Sequence, residues 1–557
     1  MKKITATLFT TLLCAMGAVC ANADISKVHV ADLGNGKYQN PIIDADYSDP
    51  DVVRVGDDYY MTSSSFTNFP GLQILHSNDL VNWTLVGAAL EKYPDSAFDV
   101  PSHGNGVWAP AIRYHNGEYY ICYGDPDRGI YMIKTRDPRG HWDEPMLIYP
   151  AKGVIDPCPF WDEDGKAYIA HGYAGSRAGN KSIIGMIEMK PDGTGVIGSD
   201  RIIYDGHVGN ETIEGAKMYK RGPWYYIFSP AGGVATGWQV VMRSKNPWGP
   251  YEARTVMAQG DTDINGPHQG AWIDTPDGKE DWFIHFQDKG PYGRVINLEP
   301  MVWTEEGWPV IGVDKDNTGC GIPVRTYKKP NVGKTYAVAT PADSDEFDSV
   351  DLGLQWQWNG NPQALWSFCD AGQSKLRLFS HHTPGAKTIY DMPNMLLQKF
   401  PAMNFTATAK VEFLPRVKNG EVEAGERAGL VVMGYNYGTI FLESREDGIY
   451  LVQADCINAN KGADETEVAA VKLNDGNVYL QTKVKLTAKG TPKQTPDYTC
   501  ECTFLYSLDG KKFKEFGRPM QVREGHWIGA KVGLYCVRPW VSNDSGWLDV
   551  DWFRITK

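Results

Sequence analysis

One phrase recurs five times in the first half of the chain: "GDDYYMTSS" from Gly56, "NGEYYICYG" from Asn116, "DGKAYIAHG" from Asp164, "RGPWYYIFSP" from Arg221 and "DGKEDWFIHF" from Asp277. Each copy is a tight polar turn feeding an aromatic and aliphatic strand, the pattern of a hairpin. The copies stand about 50–60 residues apart, a period close to that of propeller blades and solenoid coils. Five such hairpins predict a five-bladed β-propeller, each blade a small sheet around a central axis. No long segment after the N-terminus carries a helical period, so the chain is expected to be all-β.

Reading back roughly 8–12 residues from each aromatic strand reaches the place where an innermost strand would begin. There stand Asp49 in "YSDPD", Trp108 in "GVWAPA", Asp156 in "VIDPCPFW", Glu214 in "TIEGAKMY" and His268 in "NGPHQGAW". Equivalent positions of every blade converge on the axis, so one central pocket would receive two Asp, one Glu, one His and one Trp. Buried like charges are too costly to leave without a purpose, and such convergence reads as a site.

The character changes after "WPVIG" at Trp308. The propeller is assigned to residues 35–325, and the polar Pro/Gly-containing stretch 326–344 reads as a linker. Residues 345–557 carry short alternating strands such as "AGLVVMGYNYGTIFLE" and "WLDVDWFRITK", which fit a β-sandwich.

Residues 1–23 read as a signal peptide: a basic Met1-Lys2-Lys3, a largely apolar run from Ile4 to Val19, and small residues at "ANA" for cleavage after Ala23. The expectation is an exported, periplasmic protein, with secretion or lipid anchoring at Cys20 as alternatives. Val19 is bulky for a lipobox. No later run is apolar enough to span a membrane. The net charge is −13, and loss of Lys2 and Lys3 makes it −15, which argues against a nucleic-acid partner. Ten cysteines become eight without Cys14 and Cys20, and those eight show neither CxxC nor zinc spacing. Cys500 and Cys502 share a strand face about 6–7 Å apart, an awkward span for a mutual disulfide.

Breaking a glycosidic bond needs a proton for the leaving oxygen and a carboxylate acting at the anomeric carbon. An inverting enzyme uses that carboxylate to activate water. An axial pocket can hold two such carboxyls because they come from different blades. Asp49 is the candidate base, Glu214 the candidate acid, and Asp156 a neighbour whose charge raises the acid's pKa and helps orient it. The sequence spacing permits this arrangement.

The words "NPIIDADYSDPDVVRVGDDYYMTSSSFTNFPGLQILHSNDLVNW", "GVWAPAI", "DPCPFWDEDGKAYI", "IEGAKMYKRGPWYYIFSPAGG", "FQDKGPYGRVINLEPMVW" and "LGLQWQWNGNP" resemble glycoside hydrolase family 43. The resemblance extends to its two-domain β-xylosidase and α-L-arabinofuranosidase members, which pair a five-bladed propeller with a concanavalin-like sandwich. It implies a catalytic Asp at Asp49, a pKa-tuning Asp at Asp156 and a general acid at Glu214 rather than Glu211. It offers Phe66 and Trp108 as walls of the sugar pocket, Arg294 as a guanidinium for sugar hydroxyls and carboxylates, and His268 beneath the pocket. In some relatives an equivalent His helps hold a cation; no cofactor is otherwise implied, and a structural calcium ion is compatible. The implied reaction is exo-acting and inverting, on arabinose- or xylose-containing oligosaccharides and polysaccharides. An α-L-arabinofuranosidase is favoured, with β-D-xylosidase or a bifunctional enzyme as the alternative. Where those relatives often have a plainer residue after the modulator's proline, this chain has Cys158.

Plainer readings stand beside these. Asp44 and Asp46 read as turn or strand-edge residues, Asp51 as an outside candidate for a pocket contact, and Asp57 and Asp58 as hairpin-turn residues. Asp162, Glu163 and Asp164 read as a solvated turn. "DADYSDPD" is not an EF-hand loop, because Asp49 stands where that loop needs glycine. His268 suits a structural role as well as a functional one. A retaining fructan enzyme would carry a "WMNDPNG"-like stretch where this chain has "ADYSDPDVV". A non-catalytic lectin would have no use for a protonated Glu.

Overall fold

A computed structural model describes residues 25–489 and 498–557; the signal-peptide expectation and the Cys20 anchor lie outside them. Five four-stranded antiparallel sheets follow one another along the chain. Their innermost strands are Asp51–Val55, Trp108–His115, Val154–Trp161, Lys217–Arg221 and His268–Asp274. Each recurring hairpin joins an inner strand to the second strand of its blade, as in Asp51–Val55 with Asp58–Thr62. The blades are five and the fold is all-β, as the repeat predicts.

Each blade buries its faces against its neighbours, and each seam has its own apolar cluster. Tyr60, Ile74, Ile112 and Tyr123 fill the seam between blades 1 and 2. Tyr226, Phe228, Phe283 and Trp308 fill that between blades 4 and 5. The aromatic half of each repeat is spent on these seams. No strand is shared between the first and last blades. Closure falls to the segment before blade 1: Ile42 N and Tyr47 N donate to Ile296 O and Arg294 O at 2.7 and 3.1 Å. The short strand Lys37–Gln39 also pairs with Thr326–Lys328, tying the start of the predicted linker back to the N-terminal segment.

The C-terminal half is a sandwich of a seven-stranded and an eight-stranded antiparallel sheet. Its core between the sheets contains Trp356, Trp366, Leu430, Phe504 and Phe553. Backbone hydrogen bonds weld it to the propeller: Trp358 N to Phe69 O at 2.6 Å, Phe69 N to Trp358 O at 3.1 Å and Asn361 N to Phe98 O at 2.7 Å. All eight cysteines of the described residues are free, so Cys500 and Cys502 are not bridged.

Several aspartates differ from their plain readings. Asp44 and Asp46 are buried rather than on a turn surface. Asp44 pairs with Lys289 Nζ at 2.9 Å. Asp46 accepts from Arg294 N and Gly529 N, both at 2.9 Å, and so bridges propeller and sandwich. A buried carboxylate persists only with such partners. Asp51 is not a pocket contact; it is fully buried, and its Oδ2 accepts from Arg113 Nη1 and Ile112 N of blade 2. Asp162 is also buried, held by Lys220 and Tyr225, so only its neighbours Glu163 and Asp164 are exposed.

Candidate active site

A concavity of about 470 Å³, open mouth included, lies at the propeller axis and is lined by Asp49, Phe66, Trp108, Asp156, Glu214, His268 and Arg294. All seven residues singled out in the sequence meet there, in a volume suited to a small ligand. Ala109, Ile155, Val234, Gln269 and Trp527 complete the wall.

The backbone explains the convergence. Each blade has one residue in the left-handed region where its inner strand begins: Asp49 (φ 56°), Ala109 (φ 34°), Asp156 (φ 55°), Gly215 (φ 60°) and Gln269 (φ 35°). In blades 2, 3 and 5 the same point is a register shift, between Trp108 and Ala111, Ile155 and Cys158, and His268 and Gly270. A bulge of this kind re-aims a side chain out of the strand's alternation. In blades 1 and 3 the kinked Asp49 and Asp156 line the pocket, in blades 2 and 5 both the kinked residue and the one before it do, and in blade 4 the residue before Gly215 does. Four of the five are not glycine, and Phe66 (φ 51°) and Trp527 (φ 66°) add two more left-handed side chains to the pocket wall. Such strain survives only where the surroundings over-determine it, and it gathers at functional sites.

Asp49 sits among donors. Ser48 Oγ and Ser64 Oγ donate to its Oδ2 at 2.7 and 2.6 Å. Arg294 Nη1 approaches both oxygens at 3.4 and 3.5 Å while donating to Ser48 Oγ at 2.7 Å. Ser64 Oγ in turn accepts from Ala109 N at 2.7 Å, so blade 2 helps hold the blade 1 carboxylate. Asp156 is only 2% exposed. Burial first, then the carboxylates of Glu214 and Asp49, push it up to about 8, against the opposing pull of the Gly215 N–H and Lys217. Gly215 N donates to Asp156 Oδ2 at 2.8 Å, which ties the backbone beside Glu214 to Asp156. Glu214, with its side chain 26% exposed, is the more open of that pair.

His268 Nε2 lies 3.2 Å from Glu214 Oε1, yet neither ring nitrogen is aligned for a hydrogen bond with a protein group. Among the described residues no three His, Cys, Asp or Glu side chains are grouped to ligate an ion. Phe66 and Trp108 meet edge to face with centroids 6.2 Å apart and present aromatic surface to the cavity.

Ser48, Ser64 and Trp527 escaped the sequence reading. The two serines flank the first blade's motif and could have been proposed from "YSDPD" and "TSSSF". Trp527 could not: it comes from the sandwich, on the turn closed by Gly525 N to Ile528 O at 2.8 Å. It reaches Trp108 edge to face at 6.0 Å and lies 6.0 Å from the Arg294 guanidinium. Cys158, unexplained by sequence, accepts from Arg113 Nη2 at 2.9 Å and Met218 N at 3.3 Å, joining blades 2, 3 and 4 beneath the pocket.

A five-bladed propeller with three carboxyls and two aromatic walls at its axis, roofed by a sandwich, is the architecture of a sugar-cleaving enzyme. Comparison with known proteins agrees. The "Glycosyl hydrolases family 43" profile matches residues 38–309, and the "Beta xylosidase C-terminal Concanavalin A-like domain" profile matches residues 344–556. The chain belongs to glycosyl hydrolase family 43 and is a glycoside hydrolase. It is 37% identical to a provisionally named beta-xylosidase of Xylanibacter ruminicola, over 90% of this chain and 86% of that one. It is 33% identical to a beta-xylosidase of Formosa agariphila, over 94% and 90%. It is also 33% identical to a non-reducing end alpha-L-arabinofuranosidase of Bacteroides ovatus, over 72% and 74%. Among solved structures, the GH43B protein of the Bacteroides ovatus xyloglucan PUL superposes with a TM-score of 0.75 at 26% identity, covering 93% of this chain and 99% of that one.

Proposed function

We propose that the chain removes terminal pentoses from plant-type oligosaccharides and polysaccharides with inversion, β-D-xylose first. The observation that carries this reading is the meeting of Asp49, Asp156 and Glu214 in one axial pocket of a family 43 propeller. Asp49 takes a proton from water, whose oxygen attacks the anomeric carbon. Glu214 gives its proton to the glycosidic oxygen as that carbon–oxygen bond breaks, and the charge builds on an oxocarbenium-like ring between them. Arg294 and the two serines keep Asp49 oriented for the water. Asp156, through the Gly215 N–H, fixes the backbone beside Glu214, and burial together with the Glu214 and Asp49 carboxylates pushes Asp156 itself up to about 8. Phe66 and Trp108 stack on the apolar faces of the sugar, and the Trp527 roof suits a pocket that takes one terminal ring.

The sequence favoured arabinofuranosides. The relatives matched over nine-tenths of this chain carry beta-xylosidase names, and they move the first choice to β-xylosides. The arabinofuranosidase relative supports α-L-arabinofuranoside cleavage as the second reading. The working place we propose is the periplasm, on the strength of residues 1–23. No helix among the described residues is long and apolar enough to cross a membrane.

Turnover of aryl β-D-xyloside and aryl α-L-arabinofuranoside, with proton NMR of the first product anomer, tests this. A first product of inverted configuration is expected, with xyloside turned over faster. A retained configuration, or full activity in Asp49→Asn and Glu214→Gln, would sink the mechanism. Faster arabinofuranoside cleavage would reverse the substrate order.

A further inference from the structure

The inner strands that begin at the catalytic pocket end at a second concavity, around the opposite mouth of the propeller axis. It measures about 960 Å³ with its mouth, against about 470 Å³ for the catalytic one. Every blade contributes to it: Arg54 from blade 1, His115 from blade 2, Trp161 from blade 3, Lys220 from blade 4 and Asp274 from blade 5. Among the described residues the two spaces share no lining side chain. Asp49 to Arg54 and His268 to Asp274 are runs of strand at about 3.3 Å per residue, so the two mouths lie roughly 17–20 Å apart and face opposite ways. We infer that this basal cup is a second sugar site, which holds internal units of a neutral xylan-type polysaccharide.

The lining chemistry selects the occupant. Arg54 donates twice to Asp274, from Nε to Oδ1 at 2.8 Å and from Nη2 to Oδ2 at 2.9 Å. Arg113 is paired with the buried Asp51, and Lys220 with Asp162 at 2.5 Å and Glu163 at 3.2 Å. Each cation of the cup is thus already neutralised, which leaves none to recruit a phosphate or a uronate. Hydrogen-bonding capacity is less completely used. The Asp274 side chain is 37% exposed, Lys220 spends two of its three N–H donors on those carboxylates, and the His115 ring is held by stacking rather than by a hydrogen bond. Hydroxyls, which both give and accept, match such groups.

Five aromatic side chains, Tyr114, Phe160, Trp161, Tyr219 and Trp272, line the same cup. None of them is fully buried, whereas seam aromatics such as Tyr123 and Phe228 are sealed. Aromatic surface gathered round an open cup with a few polar groups is the composition of a ligand site, and it suits the C–H faces of sugar rings. The rings are also ordered in advance. Trp161 Nε1 donates to Pro191 O at 2.7 Å, and its ring stacks on His115 with centroids 4.7 Å apart at 10°. Tyr219 and Trp272 meet edge to face at 5.3 Å. Binding then costs little further ordering. A chain held here points away from Asp49, so the cup keeps the enzyme on the polymer while the axial pocket works on neighbouring chain ends. The choice of xylan among neutral polysaccharides rests on the proposed function.

A depletion isotherm of the full chain on insoluble linear β-1,4-xylan tests this, because the few ends of that polymer leave little for the axial pocket to hold. Every chain in the isotherm carries Glu214→Gln, so that the polymer is not consumed. Adding Trp161→Ala or His115→Ala is expected to weaken retention about tenfold each, the scale of a lost aromatic contact. With Glu214 restored, both variants should turn over aryl pentosides within about twofold of the native chain, and thermal unfolding confirms that they fold. Retention unchanged within about twofold in both variants, or no retention of the parent chain, would overturn the inference while leaving the glycosidase reading intact. A native chain inactive on both aryl pentosides would overturn the proposed function, and xylan retention that still depends on Trp161 and His115 would uphold the cup.

Discussion

Asp156→Asn separates charge from shape at the centre of the site. The amide retains an oxygen for the Gly215 N–H, which reaches Asp156 Oδ2 at 2.8 Å, but it neither titrates nor carries charge. In the native chain Asp156 is raised from an ordinary 3.8 to about 8, by burial and then by Glu214 and Asp49. The unfolded chain gives up this proton near 3.8 and the folded one holds it to about 8, so folding takes up a proton between those values. The stability of the native chain must fall as pH rises from about 4 to about 8, and the deficit is complete above that. An interval of about four pH units at ~1.4 kcal/mol each sets a ceiling of ~6 kcal/mol. Effective dielectrics at buried sites lie nearer 20 than 4, which brings the expected figure to about 2–3 kcal/mol. The Asn variant lacks this slope, so it gains about 2–3 kcal/mol relative to the native chain between pH 5 and pH 9. Urea unfolding at pH 5, 7 and 9 measures that difference. The same change should cost about 10²–10³ in kcat, the scale of a general-acid contribution. In the native enzyme kcat should fall on the alkaline side near pH 8. A stability difference that stays flat within ~0.5 kcal/mol across this range would refute the assignment of the raised proton to Asp156.

Two further outcomes test the frame around the site. Gly215→Ala places a methyl 2.7 Å from Gln269 Cγ and 2.9 Å from Pro230 Cδ, at a φ of +60°; it should cost about 1–3 kcal/mol of stability and lower kcat at least tenfold by displacing Glu214, read by thermal unfolding and steady-state kinetics. Deletion of residues from Thr340 onward removes Trp527 and the Phe69–Trp358 and Phe98–Asn361 backbone bonds, and should leave an insoluble or inactive propeller; a soluble fragment with full activity would contradict the interface described here.

The fivefold repeat was legible because a hairpin is local: its turn residues and its alternation lie within ten or so consecutive positions. The axial residues were legible for a related reason. Once blades are equivalent, positions at equal distances from each hairpin must meet, so Asp49 leads to Asp156 and Glu214 without any knowledge of contacts. The burial of Asp44, Asp46 and Asp162 was not legible, because each is stabilised by a partner remote in sequence. Lys289 lies 245 residues beyond Asp44, Gly529 lies 483 beyond Asp46, and Lys220 lies 58 beyond Asp162.

The sequence by itself therefore determined the fold class, the blade count and the seven pocket residues, all of which follow from periodicity, local turn chemistry and family motifs. Only the tertiary structure decided how those residues are held. The left-handed kink in every blade, the serine donors on Asp49, the Arg113–Cys158 tie beneath the pocket and the Trp527 roof depend on which distant segments pack together. Packing between the propeller and the sandwich has no period in the chain, and so the Trp527 roof became visible only once both domains were in place.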